Sequence, residues 1–529
     1  MLIHLSVSSV IDPFPQMGNQ ISSTAKAATE HATHLTMDAA VTPTADQAVY
    51  DVVLSVGAPP QAAPAAVNTI FVIDTSGSMS SAVAVPNEVA AGPTPNAITL
   101  ALHAVRAAIE ASTDQDTLAV VTFSTDATEV LAPTRMTTAG KASAVAALDT
   151  VTYGGVTNMR AGVQLGYDCV RKAALVKAAS ASDTVVFLTD GHNTHSSGCP
   201  RTWLDEVRGN EDHVSGMHFY VQRSTLVTVA FGTNVDVGAL VQLASGFGYF
   251  VAIPDATVFA PVMAALLARA RALVAWRFTV IATTPTEGVT LTVRGPLANK
   301  RPTTFTAGPG YTSDERVLLV DVGGVSAEGR KILFKARVPP TATAAEVASA
   351  LKGIQFEAGW VAAQGGGSSA APVSPTLDGG SVEGAALCNI CEDAARVLTT
   401  CAISPSASRP AARAELEALL ARVSASSMAG TPMADGFFHD VGEVLQGIGT
   451  GYGSGKPWAP GYMATLAAGL EGQLCSSKME ESTLQFAGGA EVALAEAFVD
   501  VFEALPDARV VGGAAGGYRG ALSSGYGGG

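Results

Sequence analysis

The stretch Phe71-Val72-Ile73-Asp74-Thr75-Ser76-Gly77-Ser78-Met79-Ser80 constrains this chain more than any other. The apolar run from Thr69 to Ile73 reads as a buried strand of a parallel sheet. It stops on a carboxylate, and the residues that follow are small and hydroxylic. Asp74, Ser76 and Ser78 are thereby gathered in a tight loop at the carboxyl end of a strand, the edge where open α/β sheets bind ligands. All three are hard oxygen donors, which suit Mg2+ better than a soft metal. The spacing alone is weak, because serines that simply cap the next helix would produce it too.

Two later stretches add weight. Gly154-Gly155-Val156-Thr157-Asn158 precedes a helical pattern and offers the hydroxyl of Thr157. Val185-Val186-Phe187-Leu188-Thr189-Asp190-Gly191 is a second buried strand ending on a carboxylate. Taken together and in this order, the three stretches resemble the metal-ion-dependent adhesion site of the von Willebrand factor A domain. The resemblance implies a metal site made by Asp74, Ser76, Ser78, Thr157 and Asp190. It implies Mg2+ (or Mn2+) as the ion, and a protein partner that offers a carboxylate to it. Thr228-Val229-Ala230-Phe231-Gly232, followed by Leu240, Leu243 and Ala244, is similar to the late part of the same domain.

The pattern around these motifs is strand, helix, strand, repeated from about residue 67 to 275. That alternation means a doubly wound, mostly parallel α/β sheet, Rossmann-like, with helices on both faces. Val258 to Val274 reads as its closing helix, with Arg269 and Arg271 on a solvated face. A chain of 529 residues is too long for one core, so further domains are expected. From 276 to 360 the hydrophobic period switches to two, which reads as a β-sandwich. Strands within 31–60 have no local partner and are expected to join it. Residues 361–382, rich in Gly, Ser, Pro and Ala, read as a linker. From 383 to 508 the helical period returns as Glu383 to Ala402, Ala411 to Ala425 and Val492 to Leu505, expected to pack as a bundle. Lys456-Pro457-Trp458 and the residues after it are similar to the C-terminal segment of eukaryotic proteins that join an A domain to a sandwich and a helical tail. Residues 1–30 and the Gly-rich tail 509–529 read as disordered.

Composition narrows the partners. A net charge of −15 argues against nucleic acid and anionic membranes. No run reaches the length of a membrane span. The start of the chain lacks the pattern of a secretory signal, and six cysteines in so long a chain do not make a disulfide framework. An intracellular, cytoplasmic protein is the expectation.

Other groupings weigh less. His192 and His195, with Cys199, could suggest zinc, yet they share one short loop and no fourth ligand is apparent. Cys388-Asn389-Ile390-Cys391 has redox spacing without the strand that should precede it, so two cysteines on one helical turn is the plainer reading. Neither a phosphate-binding Gly-Lys-Ser nor a nucleophile elbow occurs. The expectation is therefore a non-enzymatic, metal-dependent protein-interaction module. Its alternatives are an intracellular scaffold whose metal site is silent, or a phosphohydrolase of the haloacid-dehalogenase type. The last opens on Asp-x-Asp, and Ser76 stands where its second carboxylate should be.

Overall fold

The computed structural model describes residues 35–46, 48–57, 64–83, 95–178, 181–194, 202–203, 224–245, 248–293, 317–362, 367–377, 382–403, 409–448, 456–473 and 486–505. The segments expected to be disordered, 1–30 and 509–529, lie outside them.

Two antiparallel strands, β1 (Thr36–Pro43) and β2 (Val49–Gly57), precede the central unit. That unit runs β3 (Val67–Asp74), α1 (Ala97–Ala111), β4 (Thr117–Phe123), β5 (Ala127–Arg135), α2 (Thr138–Leu148), α3 (Met159–Ala173) and β6 (Ser182–Thr189). It continues with β7 (Thr225–Phe231), α4 (Val237–Ala244), β8 (Gly248–Ile253) and α5 (Phe259–Arg271). The six strands are ordered β5-β4-β3-β6-β7-β8. All neighbours are parallel except β4 and β5. Every residue of β3, β4 and β6 is buried, because helices cover both faces. Ile70 and Val72 face a core shared with α3 and α4, whereas Phe71 and Ile73 face one shared with α1, α2 and α5. α3 lies close on the sheet. A Cβ at Gly162 would come within 2.7 Å of the Phe123 ring, and one at Gly166 within 2.6 Å of Val72.

A β-sandwich follows, built from β9 (Leu273–Thr283), β10 (Thr290–Val293), β11 (Val317–Ser326), β12 (Arg330–Arg337), β13 (Gln355–Ala362) and β14 (Gly367–Val373). One sheet is β1-β2-β12-β10 and the other β11-β9-β13-β14, so strands from both sides of the central unit share one core. Phe334 of the first sheet meets Phe356 of the second with ring centroids 4.9 Å apart. Three expectations are corrected here. The closing helix of the central unit stops at Arg271, and Val274 already belongs to β9. A helix, α6 (Ala344–Lys352), interrupts the all-β stretch behind a capping box of Thr343 and Glu346. The expected linker 361–382 contains β14, and Thr376 pairs with Ala40. β14 is an edge strand held by backbone hydrogen bonds, so its Gly- and Ser-rich sequence needs no alternating apolar face.

The C-terminal helices are α7 (Val382–Ile403), α8 (Arg409–Ser424), α9 (Pro432–Ile448), α10 (Ala459–Gly472) and α11 (Gly489–Ala504). They do not form a bundle with a core of its own. α7 to α10 extend one core of the central sheet, and α11 closes the other. Thr465 of α10 accepts a hydrogen bond from the backbone N–H of Ala252 in β8 at 2.8 Å. Asn389 of α7 donates to Asp51 of β2 at 2.8 Å, tying the helices to the sandwich as well. Phe502 of α11 packs edge-on against His103 of α1. The same packing overturns the solvated face expected at Arg269 and Arg271. Their side chains are only 12% and 13% exposed, and they pair with Glu491 at 3.6 Å and Asp116 at 2.7 Å. α5 has the sheet on one side and α11 on the other, so its last turn has little open water to reach.

Candidate functional site

β3 and β6 lie side by side, so both of their carboxyl ends reach the same edge. Asp74 is the last residue of β3 and is fully buried. Its Oδ1 accepts from the backbone N–H of Ser76 at 2.8 Å, and its Oδ2 accepts from Thr189 Oγ1 at 2.6 Å. From there a chain of oxygens leads outward. Ser76 Oγ lies 3.0 Å from Ser78 Oγ, and Ser78 Oγ donates to Asp190 Oδ1 at 2.8 Å. Ser76 is buried, Ser78 exposed and Asp190 half-buried, so the chain runs from the core to the surface. Four of the five predicted ligands are thus joined in one hydrogen-bonded chain.

Thr157 stands on an adjoining loop and is itself buried. The backbone fastens this loop to its neighbours. Gly77 N–H donates to Gly155 O at 3.2 Å, and Gly154 N–H to Thr75 O at 2.7 Å. Gly155 has φ +86°, a left-handed conformation that glycine adopts without strain, and a Cβ there would come within 2.9 Å of Thr125 Oγ1. On the other side Thr157 and Thr194 are doubly bonded. Thr157 N–H donates to Thr194 Oγ1, and Thr194 N–H to Thr157 O, each at 3.0 Å. Asn158 then caps α3, accepting from the Ala161 N–H.

Sequence reasoning missed Thr189, Thr194 and Asn193. Thr189 orients the buried carboxylate and also accepts from Gly191 N–H at 3.3 Å, linking the two strand ends. Its position just before Asp190 was the available signal. Asn193 Oδ1 accepts from the Met159 N–H at 3.3 Å. In the zinc alternative, His192 is exposed on this loop, while His195 and Cys199 lie outside the described residues. Cys388 and Cys391 are both buried, free thiols on α7, and burial holds both above the ordinary thiol range, Cys388 at about 12.

Electrostatics set this edge apart. Burial pushes the Asp74 carboxyl up to about 6, against the hydrogen bonds from Thr189 and Ser76, and nearby Asp190 adds to the rise. Burial raises Asp190 as well, opposed by Ser78. No Lys or Arg among the described residues pairs with either carboxylate. Two carboxylates and two hydroxyls in one chain, with Thr157 on the next loop, make a donor set that fits a small, hard dication. The set holds only two acidic residues, and no cluster of three or more His, Cys, Asp or Glu in metal-binding reach occurs among the described residues. Asp74, Ser76, Ser78 and Asp190 would hold the ion, with Thr157 completing them from its own loop.

The comparisons bear on the fold around this edge. Residues 69–192 match the von Willebrand factor type A domain family. Among solved structures, a von Willebrand factor type A protein from Catenulispora acidiphila is similar at 16% identity and a TM-score of 0.51. That match covers 77% of this chain and 89% of the other. The ArnB paralog VWA2 from Sulfolobus acidocaldarius is similar at 12% identity, also with a TM-score of 0.51, over 83% of this chain and 98% of that one. At these identities the likeness is one of fold, and it extends well beyond the central sheet. No curated protein matches the chain. The chain carries a von Willebrand factor type A domain, with a β-sandwich and C-terminal helices folded against it.

Proposed function

We propose that the protein is a metal-dependent protein-interaction module, which binds an acidic group of a partner through Mg2+ (or Mn2+) at the carboxyl edge of the central sheet. The observation that carries this reading is the hydrogen-bonded chain from buried Asp74, through the backbone N–H of Ser76, then Ser76 Oγ and Ser78 Oγ, to half-buried Asp190. Two carboxylates only balance the charge of a dication and the neutral hydroxyls add none, so the ion keeps an electrophilic position that a further carboxylate from outside can take. The chain's own residues would bind and orient the ion, and Thr189 would hold Asp74 in place. Tyr153 and Val156, 56% and 41% exposed on the Thr157 loop, give the same edge an apolar rim for a partner to cover.

The phosphohydrolase alternative gains nothing from the geometry. Asp74 is buried with both oxygens already accepting hydrogen bonds, a poor disposition for a phosphohydrolase nucleophile, and Ser76 cannot protonate a leaving group. We also place the protein inside the cell. The free, buried thiols of Cys169, Cys388, Cys391 and Cys401 support that reading.

Calorimetric titration of the full chain with Mg2+, beside the Asp74→Asn variant, tests the metal. Capture of partner proteins with and without chelator, read by mass spectrometry, tests the interaction. The reading expects saturable Mg2+ binding that Asp74→Asn removes, and partners lost on chelation. Partners captured equally by parent and variant, with chelator making no difference, would leave the silent scaffold in its place.

A further inference from the structure

A cavity of about 560 Å3 lies where the amino edge of the central sheet meets the sandwich and the C-terminal helices. Its walls come from the amino ends of β6, β7 and β8, the last turns of α4 and α5, the sandwich strands β9 and β11, and α7 and α10. This is the edge opposite Asp74 and Asp190. Val241, Phe250, Leu266, Leu273 and Val322 give it apolar walls. Its volume is that of a small-molecule site.

The charged groups of the lining are unequally committed. Glu392, Glu471 and Arg330 each have interactions within the fold, and Arg330 donates to Val322 O at 2.9 Å. Arg269 of α5 is different. Its side chain is 12% exposed, and its partner is Glu491 of α11 at 3.6 Å, too far for a hydrogen bond. Among the described residues no nitrogen of Arg269 donates a hydrogen bond, and neither oxygen of Glu491 accepts one. Burial pushes the Glu491 carboxyl up to about 7, against the pull of Arg269 and with a push from Glu328. Near neutral pH the counter-charge of Arg269 is therefore present only part of the time. A guanidinium has five N–H donors, and leaving them unmet away from water is costly. Arg396 of α7 is exposed, and its side chain also has no partner among the described residues. The carboxyl ends of α4 and α10 reach the lining too, and each is capped by backbone, Ser245 N–H on Val241 O and Gln473 N–H on Leu470 O. The charge left unmatched in the lining is positive. We propose that this cavity binds a small carboxylic acid with an apolar body, its carboxylate held by Arg269. A carboxylate matches the guanidinium fork with two parallel hydrogen bonds, and the apolar walls would cover its chain. Arg269 offers one charge, which a monoanion balances, whereas a phosphate brings nearly two. Arg396 would draw the anion in. The assignment does not depend on the metal.

The test uses the full chain at pH 7 and four probes, octanoate, acetate, 1-octanol and octyl phosphate, followed by calorimetry and thermal melting. Saturable binding of octanoate is expected, with acetate and 1-octanol much weaker, because each keeps only half of the ligand. Octyl phosphate should also bind more weakly. Glu491→Gln should tighten octanoate about three- to tenfold, by removing the carboxylate that competes for Arg269. Arg269→Gln alone would leave Glu491 buried without its counter-charge, so it is made together with Glu491→Gln, and this double variant should lose octanoate binding. Ala468→Leu fills part of the cavity without touching a charge and should weaken octanoate at least about tenfold. No saturable octanoate binding, 1-octanol or octyl phosphate binding as tightly as octanoate, a Glu491→Gln variant no tighter than the parent, or a double variant or Ala468→Leu variant that binds like the parent would each overturn the proposal. All titrations are run in chelator, so this site and the metal site fail separately.

Discussion

At the amino edge of the central sheet, Asp116 and Asp183 are almost as buried as Asp74 is at the carboxyl edge. Their surroundings differ. Asp116 accepts from the Val67 and Thr113 N–H groups and pairs with Arg271 at 2.7 Å. Asp183 accepts from Asn68 and pairs with Lys177, whose side chain is only 3% exposed. At the carboxyl edge the buried carboxylate has hydroxyl and amide donors, and among the described residues no cation. The same residue type thus does two jobs in one sheet. Where the chain supplies the counter-charge, the carboxylate seals strand ends. Where it supplies only neutral donors, the carboxylate is held at a cost, and that cost is recovered when a cation arrives from outside.

The comparison breaks most visibly at the amino edge. Asp183→Ala leaves the buried Lys177 ammonium without its counter-charge, though still donating to Ala181 O at 3.3 Å, and should cost about 3–5 kcal/mol, read as a lower denaturant midpoint and melting temperature. A loss below about 1 kcal/mol would mean that Lys177 escapes to water and that the two edges are less different than they look.

At the carboxyl edge the sign should reverse. The folded-state pKa of Asp74, about 6, lies above its ordinary value of 3.8, so the folded chain binds a proton that the unfolded chain has released. The stabilisation from that proton is present below about pH 4. It falls away as pH rises to about 6, by up to about 3 kcal/mol in the metal-free protein. Asp74→Asn should flatten this part of the stability-versus-pH curve. It should also raise the melting temperature at pH 7 in chelator, while abolishing the stabilisation that Mg2+ gives the parent. A variant less stable than the parent in chelator at pH 7 would contradict the account.

Asp190→Ala should be milder for the fold, within about 1 kcal/mol, because Asp190 is half-buried and loses only the hydrogen bond from Ser78. Its effect on calorimetric Mg2+ affinity should still be at least about tenfold, since a charged ligand is lost. Thr157→Val should be the smallest change, about two- to fivefold in Mg2+ affinity, as one neutral oxygen that water can partly replace. If Thr157→Val matched Asp190→Ala in affinity loss, hydroxyl geometry rather than carboxylate charge would govern the edge.

Legibility followed burial pattern. The strands around Asp74 and Asp190 are covered on both faces, so they stand out as unbroken apolar runs, each closed by a carboxylate. Thr189 did not stand out. Inside such a run a threonine looks like ordinary strand material, and only the pairing of β3 with β6 brings its hydroxyl to Asp74. α10 escaped for a related reason. α10 is buried at Ala459, Gly461 to Ala467, Gly469 and Leu470, which leaves no polar stripe and therefore no amphipathic period to read. Arg269 and Arg271 misled because charge usually marks a wet face, and their partners Glu491 and Asp116 are far away in sequence.

By itself, then, the sequence determined what is local: a carboxylate and hydroxyls at the end of one buried strand, a second carboxylate at the end of another, and a threonine before a helix. Those are set by short-range spacing, because a strand end and the loop after it present their side chains whatever else the chain does. Only the tertiary structure decided which charges are compensated. Arg271 reaches Asp116 and Lys177 reaches Asp183 because α5 and the turn after α3 pack at the amino edge, while no Lys or Arg among the described residues pairs with Asp74 or Asp190 at the other. Counter-charge is a property of what lies within a few ångströms in space, and in a parallel sheet those neighbours come from distant parts of the chain.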